Sequence, residues 1–167
     1  MRHKIAIYPG SFDPPTFGHM NIVERGLEIF EKIIIAVARN TSKKSLLSPD
    51  ERSELLKTLF KGRRDVEVDQ FEGLLVDYAK KKKTNVILRG LRTVADYEYE
   101  LQMSFSNKSI NPQVETIFMM TESKFSHISS TIIKEIAYFS GSVKGMVHPL
   151  VEKTIRQKFK AARAASK

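Results

Sequence analysis

Thr16, Gly18 and His19 close a stretch, Tyr8-Pro9-Gly10-Ser11-Phe12-Asp13-Pro14-Pro15-Thr16-Phe17-Gly18-His19, in which an apolar run breaks into a polar loop and then turns helix-like. Glycines at 10 and 18 let the backbone approach a ligand closely, and Ser11 and Thr16 offer hydroxyls. His19 falls where a helix N-terminus presents free N–H groups to an anion. Such a set suits phosphate. A loop rich in Gly, Pro and Ser is also an ordinary turn, and a histidine at a helix start an ordinary cap, so its meaning depends on what other segments bring to it.

Three further segments carry unusual polar residues: Asn40-Thr41-Ser42-Lys43-Lys44, Arg89-Gly90-Leu91-Arg92 and Ser126-His127-Ile128-Ser129-Ser130-Thr131. Together with the first loop they supply two lysines, two arginines, histidines, hydroxyls and at least two helix starts, without a pair of carboxylates placed as acid and base. Phosphoryl or nucleotidyl transfer asks a protein for positioning and for neutralisation of charge on phosphorus oxygens, and needs no nucleophilic side chain. Neither the Lys-containing Walker loop nor a Gly-x-Gly-x-x-Gly turn follows the first apolar run, which argues against a kinase or a dehydrogenase. The histidines at 3, 19, 127 and 148 lack zinc-like spacing and there is no cysteine, so no metal is expected on protein side chains. Mg2+ carried on nucleotide phosphates is the expected cofactor.

Short β-branched runs alternate with helical patterns, the mark of a parallel sheet covered on both faces. Strands are expected at 4–8, 32–38, 66–71, 86–89 and 116–119, and helices at 19–30, 48–61, 74–82, 93–108, 130–139 and 149–164. Ser48-Pro49-Asp50-Glu51 reads as a capped helix start. The fold expected is α/β, one Rossmann-like domain over residues 1–167 with a five-stranded parallel sheet and a basic C-terminal helix or tail at 151–167. In such a sheet ligands sit beyond the carboxyl ends of the strands, which is where the four polar segments fall.

With 167 residues, 41% of them apolar, the chain suffices for one core. No apolar run approaches the roughly eighteen residues of a membrane span, and no signal-like start is seen, so a cytoplasmic location is the default. The net charge of +9 suits nucleic acid, an acidic membrane surface or a polyanionic small molecule. Five of those nine charges belong to residues 151–167, which, like Lys80 to Lys83, read as a solvated helix end rather than a binding patch.

Thr16-x-Gly18-His19 resembles the (His/Thr)-x-Gly-His signature of the nucleotidyltransferase superfamily, and Ile128-Ser129-Ser130-Thr131 looks like its second signature. Residues 89–100, Arg-Gly-Leu-Arg-Thr-Val-Ala-Asp-Tyr-Glu-Tyr-Glu, are similar to the bacterial phosphopantetheine adenylyltransferases, and the resemblance spans 5–141 in order. Relatives that adenylylate nicotinamide mononucleotide end the second signature Ile-Ser-Ser-Thr-x-x-Arg, whereas Lys134 stands here, which favours the phosphopantetheine branch. Ser11 stands where the family often has threonine, keeping the hydroxyl.

The resemblance implies attack by the phosphate of 4′-phosphopantetheine on the α-phosphorus of ATP, with His19, Lys43, Ser11 and Arg92 as the catalytic set. It implies that ATP is bound by Ser11, Phe12, Gly18 and His19, by Gly90, Leu91, Arg92 and Glu100, and by Phe125, Ser126, His127, Ile128, Ser129, Ser130 and Thr131. Ser11, Lys43, Leu75 and Arg89 would meet phosphopantetheine. It further implies a homo-hexamer; the region of Leu101, Met103, Phe105 and Ile110 is the candidate contact surface, and would equally serve an internal core. Arg89 and Arg92 also read as partners of Asp96 or Glu98, and Tyr97 and Tyr99 as packing residues rather than base-stacking platforms. Two alternatives remain: an enzyme of the same fold with another acceptor, nicotinamide mononucleotide or glycerol 3-phosphate, and a basic nucleic-acid-binding module. The second is disfavoured by the absence of an aromatic and basic platform, leaving ATP and phosphopantetheine as expected partners, with neither nucleic acid nor membrane.

Overall fold

The computed structural model of the chain describes residues 5–39 and 45–165. Five strands, β1 (Ile5–Gly10), β2 (Lys32–Ala38), β3 (Val66–Phe71), β4 (Val86–Leu91) and β5 (Glu115–Met120), alternate with α1 (Phe17–Gly26), α2 (Pro49–Leu59), α3 (Leu75–Lys81) and α4 (Val94–Ile110). A short 3-10 turn, Ser123–Phe125, leads to α5 (Ser130–Tyr138) and α6 (Pro149–Ala165). All neighbours in the sheet are parallel, as the sequence predicts, and the strand order is β3-β2-β1-β4-β5.

Alternate strand residues feed two layers. Ala6, Tyr8, Ile33, Ile35, Val37 and Leu88 pack with Ile22, Val23 and Phe30 of the α1 region and with Leu56 and Phe60 of the α2 region. On the opposite face, Ile7, Ile34 and Ala36 meet Tyr78 and Ala79 of α3. A separate cluster joins α5 and α6 through Ile133, Ala137, Val151 and Ile155, with Leu55 of α2 and Leu47 just before it.

Strand order reverses between β1 and β4, the switch point at which open α/β sheets leave a crevice. Their ladder is short, in register at Ile7 with Ile87, whereas β1 and β2 pair from Ile5 with Lys32 to Gly10 with Val37. Gly90 lies across the reversal, where an added Cβ would stand 2.8 Å from the Ile22 side chain and 3.4 Å from the Tyr8 hydroxyl.

Helix limits differ from the sequence expectation for local reasons. α1 starts two residues early because Thr16 caps it, and ends at Gly26, where a Cβ would lie 2.6 Å from Ile33. β4 runs on to Leu91 because its pairing with β5 persists to Leu91 opposite Met120. α2 is capped by Ser48, whose hydroxyl accepts from the Glu51 N–H at 3.2 Å while the Glu51 carboxylate accepts from the Ser48 N–H at 2.8 Å. Ser48→Ala is expected to cost about 1 kcal/mol, lowering Tm by about 2–4 °C in calorimetry at fixed protein concentration.

Candidate active site

The Thr-x-Gly-His element is a helix cap with a histidine in the place usually taken by glutamate. Thr16 Oγ1 accepts from the His19 N–H at 3.3 Å, and the Thr16 N–H donates to His19 Nδ1 at 3.0 Å, closing a reciprocal capping box. With Nδ1 accepting, the proton of the neutral ring belongs on Nε2, which is left to serve a ligand. The ring is further held by Phe12 and Tyr8, at centroid distances of 5.0 and 6.5 Å. Burial, reinforced by Arg92 and then Arg89, lowers the His19 pKa from 6.5 to about 4. His19 is therefore a neutral N–H donor at pH 7, suited to a phosphate oxygen and unsuited to acting as a cationic acid. Phe12 adopts a left-handed backbone (φ 50°) while fully buried, a strained conformation of the kind that collects in ligand loops.

A cavity of about 290 Å³ opens at the β1/β4 crevice. Ser11, Phe12, Gly18 and His19 line one side, Arg89, Gly90, Arg92 and Glu100 another, and Ile128, Ser129, Ser130 and Thr131 a third. Segments far apart in sequence thus converge on one rim, as the loops after β1, β4 and β5 are predicted to do. Ser129 caps α5, accepting from the Ile132 N–H at 3.1 Å, and Ser130 and Thr131, ahead of Ile132 in the first turn, line the cavity with their backbone N–H groups left for an anion.

Both arginines are paired with acids on α4. Arg92 places Nε and Nη2 on the two oxygens of Asp96, each at 3.1 Å, and Nη1 on the Ile128 carbonyl at 3.0 Å. Arg89 grips Glu100 with Nε at 2.6 Å and with Nη2, and places Nη1 on the Pro9 carbonyl at 2.7 Å. The partner of Arg89 is thus Glu100 rather than Glu98. A guanidinium carries five N–H donors, so after these bonds each arginine keeps up to about two for a ligand, aimed by its carboxylate.

Phe125, Ser126 and His127 do not line the cavity. Phe125 packs on Phe17 at a centroid distance of 6.3 Å, Ser126 Oγ donates to the Ser123 carbonyl at 2.8 Å, and His127 is exposed. Leu91 is buried in the sheet and holds the Thr121 N–H through its carbonyl at 2.7 Å. Leu75 lines a smaller cavity of about 80 Å³ that shares Arg89 and Glu100 with the first. Lys43 lies outside the described residues.

Cavity residues without an assigned role in the sequence reading include Tyr8, a strand residue like its neighbours, and Thr121, beyond β5. Burial raises the Tyr8 pKa, keeping its phenol protonated. Tyr97 and Tyr99 depart from the expectation of packing residues. Tyr97 meets Phe118 edge-on at 5.8 Å but is 42% exposed, and Tyr99 is 61% exposed. The reason is α4 itself, which buries none of its residues, so its apolar positions face outward. Within the lysine run at the end of α3, Lys82 is not simply solvated: its ammonium lies 2.8 Å from Glu67 and 2.6 Å from Asp69.

The cytidylyltransferase-like family matches residues 7–136. A phosphopantetheine adenylyltransferase of Geotalea daltonii is 51% identical over 156 residues, covering 93% of this chain and 97% of its own. The chain belongs to the phosphopantetheine adenylyltransferase family. Among the phosphopantetheine adenylyltransferases, that of Geobacter metallireducens is 48% identical, with 98% of this chain and 100% of its own covered. A solved nicotinic acid mononucleotide adenylyltransferase from Plasmodium falciparum superposes with a TM-score of 0.65 over 93% of this chain and 95% of its own. At 17% identity it shares the fold of the phosphopantetheine adenylyltransferases and carries no further argument.

Proposed function

We propose that the chain transfers the adenylyl group of ATP to 4′-phosphopantetheine, giving dephospho-coenzyme A and pyrophosphate. A phosphate oxygen of the acceptor forms a bond to the α-phosphorus, the bond from that phosphorus to the bridging oxygen of the β-phosphate breaks, and pyrophosphate leaves. The observation that carries this reading is the neutral imidazole of His19, fixed by Thr16 on the same cavity as Arg92 and the first turn of α5. Two phosphorylated reactants repel, each pair of unit charges about 4 Å apart by roughly 4 kcal/mol at an effective dielectric near 20. Oriented N–H donors and guanidinium groups offset that repulsion most where charge builds in the transition state.

In this reading His19 donates to an α-phosphate oxygen, Ser11 and Lys43 hold the reacting phosphates, and Arg92 with Ser129, Ser130 and Thr131 takes the rest of the triphosphate. Arg89, on the wall that the two cavities share, and Leu75, in the smaller cavity alone, would face the phosphopantetheine side. Among the described residues no group of three His, Cys, Asp or Glu is placed to hold a metal, and Asp96 and Glu100 are each engaged by an arginine. Mg2+ is proposed to arrive on the ATP phosphates, where it would supply charge neutralisation.

Assembly as a homo-hexamer belongs to the same proposal. Val94, Phe105 and Ile110 on α4 and Met120 on the edge strand β5 are more than half exposed, an apolar surface that a second copy would cover. Light scattering on the purified protein is expected to give six copies, and a monomer would overturn the assignment. A cytoplasmic site of action is proposed with it; among the described residues no helix is long and apolar enough to cross a membrane.

The activity is tested by incubating the protein with ATP, Mg2+ and one acceptor at a time: 4′-phosphopantetheine, nicotinamide mononucleotide or glycerol 3-phosphate. Pyrophosphate release is expected only with the first. Release with either of the others in its place would move the assignment to another acceptor.

A further inference from the structure

Asp13, Arg52 and Lys134 are absent from the lining of the cavity and carry charges that the reaction as described does not use. Asp13 is 4% exposed and accepts hydrogen bonds from the Leu47 N–H at 2.9 Å, the Leu46 N–H at 3.0 Å and Lys134 Nζ at 2.9 Å. Arg52, 3% exposed, donates through Nη1 to the carbonyls of Ser11 and Ala38, and through Nε to that of Ser48 at 3.3 Å. Ser130, one helical turn before Lys134 on α5, donates its hydroxyl to the Pro14 carbonyl at 2.8 Å.

The bonds join three parts of the site. Asp13 and Ser11 belong to the loop after β1, Leu46, Leu47 and Ser48 enter α2, and Lys134 and Ser130 belong to the helix whose first turn faces the cavity. Asp13 and Arg52 are almost wholly out of water while the Lys134 side chain is 30% exposed; placing charges away from water is costly unless they are well paired, and uncharged residues of similar volume could fill the same space. A charged cluster there is best accounted for by the geometry that it enforces.

We propose that Lys134 is a positioning residue for adenylyl transfer, acting through Asp13 to hold the triphosphate end of α5 in register with the Ser11 loop. The proposal rests on the adenylyltransferase reading above. Lys134 lines neither of the two cavities described above, and its ammonium is engaged by Asp13. Its effect therefore belongs in the rate of the chemical step, because small misplacements of bound reactants cost up to about 100-fold while leaving much of the binding intact.

The experiment compares wild type, Lys134→Met, Lys134→Arg, Asp13→Asn and the Lys134→Met/Asp13→Asn double variant in steady-state assays with ATP and 4′-phosphopantetheine. ATP affinity is measured by calorimetry and folding by thermal melting. Wild-type turnover comes first, since its absence would refute the underlying reading rather than this one. Given turnover, Lys134→Met is expected to lower kcat by about 10- to 100-fold with ATP affinity changed less than about threefold, and Lys134→Arg to recover most of the loss. The double variant is expected to cost no more than Asp13→Asn alone, as for residues acting in one unit. Three results would overturn the proposal: kcat per folded site unchanged in Lys134→Met, whether or not Tm falls; loss of ATP affinity tenfold or more at unchanged kcat; or losses in the double variant that multiply. If Asp13→Asn fails to fold, the two Lys134 variants decide alone.

Discussion

His19→Ala is expected to keep its fold and much of its affinity for ATP while losing turnover by at least about 100- to 1,000-fold, the usual cost of one preorganised donor at a developing charge. The fold survives because the Thr16 hydroxyl still caps α1 through the backbone N–H of residue 19. Turnover falls because the one imidazole N–H free of the capping box is removed from the cavity. Pyrophosphate release by the purified variant, with circular dichroism to certify the fold, checks both halves, and near-normal turnover would remove His19 from the mechanism.

The protonation state of His19 gives a companion expectation with a definite sign. Its pKa in the folded chain lies near 4, below the unperturbed 6.5, so the folded protein takes up this proton later than the unfolded chain does. The resulting stability is fully present above pH 6.5 and is lost as pH falls toward 4. An NMR titration of the unliganded protein is expected to find the His19 ring neutral at pH 6; a midpoint near 6.5 would contradict the donor role assigned to it.

Arg92→Ala is expected to lower kcat/KM for ATP by at least about 100-fold, in the range reached when one partner of a hydrogen-bonded charge pair is cut away. Three losses coincide: the free guanidinium N–H groups, the tie to the Ile128 carbonyl and the neutralisation of Asp96. The third leaves a carboxylate facing incoming phosphates, so an Arg92→Ala/Asp96→Ala double variant is expected to regain part of the loss. Initial rates at varied ATP measure both. A double variant no better than the single would mean that the unpaired carboxylate contributes nothing.

Much of this site was legible in the sequence because its signals are local. Alternation of β-branched runs with helical periods fixes the parallel sheet, and such a sheet places its functional loops at the carboxyl ends of the strands. Thr16, Gly18 and His19 stand out because a cap needs its residues within one turn. What stayed hidden depends on partners distant in sequence. Asp13 meets Leu46, Leu47 and Lys134, up to 121 positions away, and nothing near Asp13 or Arg52 in the chain distinguishes either from an ordinary loop or helix-face charge. Arg89 reaches past Glu98 to Glu100, a choice of helical face that spacing alone did not make. The apolar residues of α4 read equally as core or contact surface, since periodicity reports that a face is apolar and not what covers it.

The central claim is that the cavity brings two phosphorylated reactants together for one direct displacement, the protein supplying donors and charge but no bond to the adenylyl group. The stereochemical course at the α-phosphorus tests it most directly, using ATP made chiral there by a single sulfur substitution and 4′-phosphopantetheine as acceptor. One in-line displacement inverts that centre, and inversion is the predicted result. Retention would require two displacements through a covalent adenylyl-protein adduct and would contradict the account.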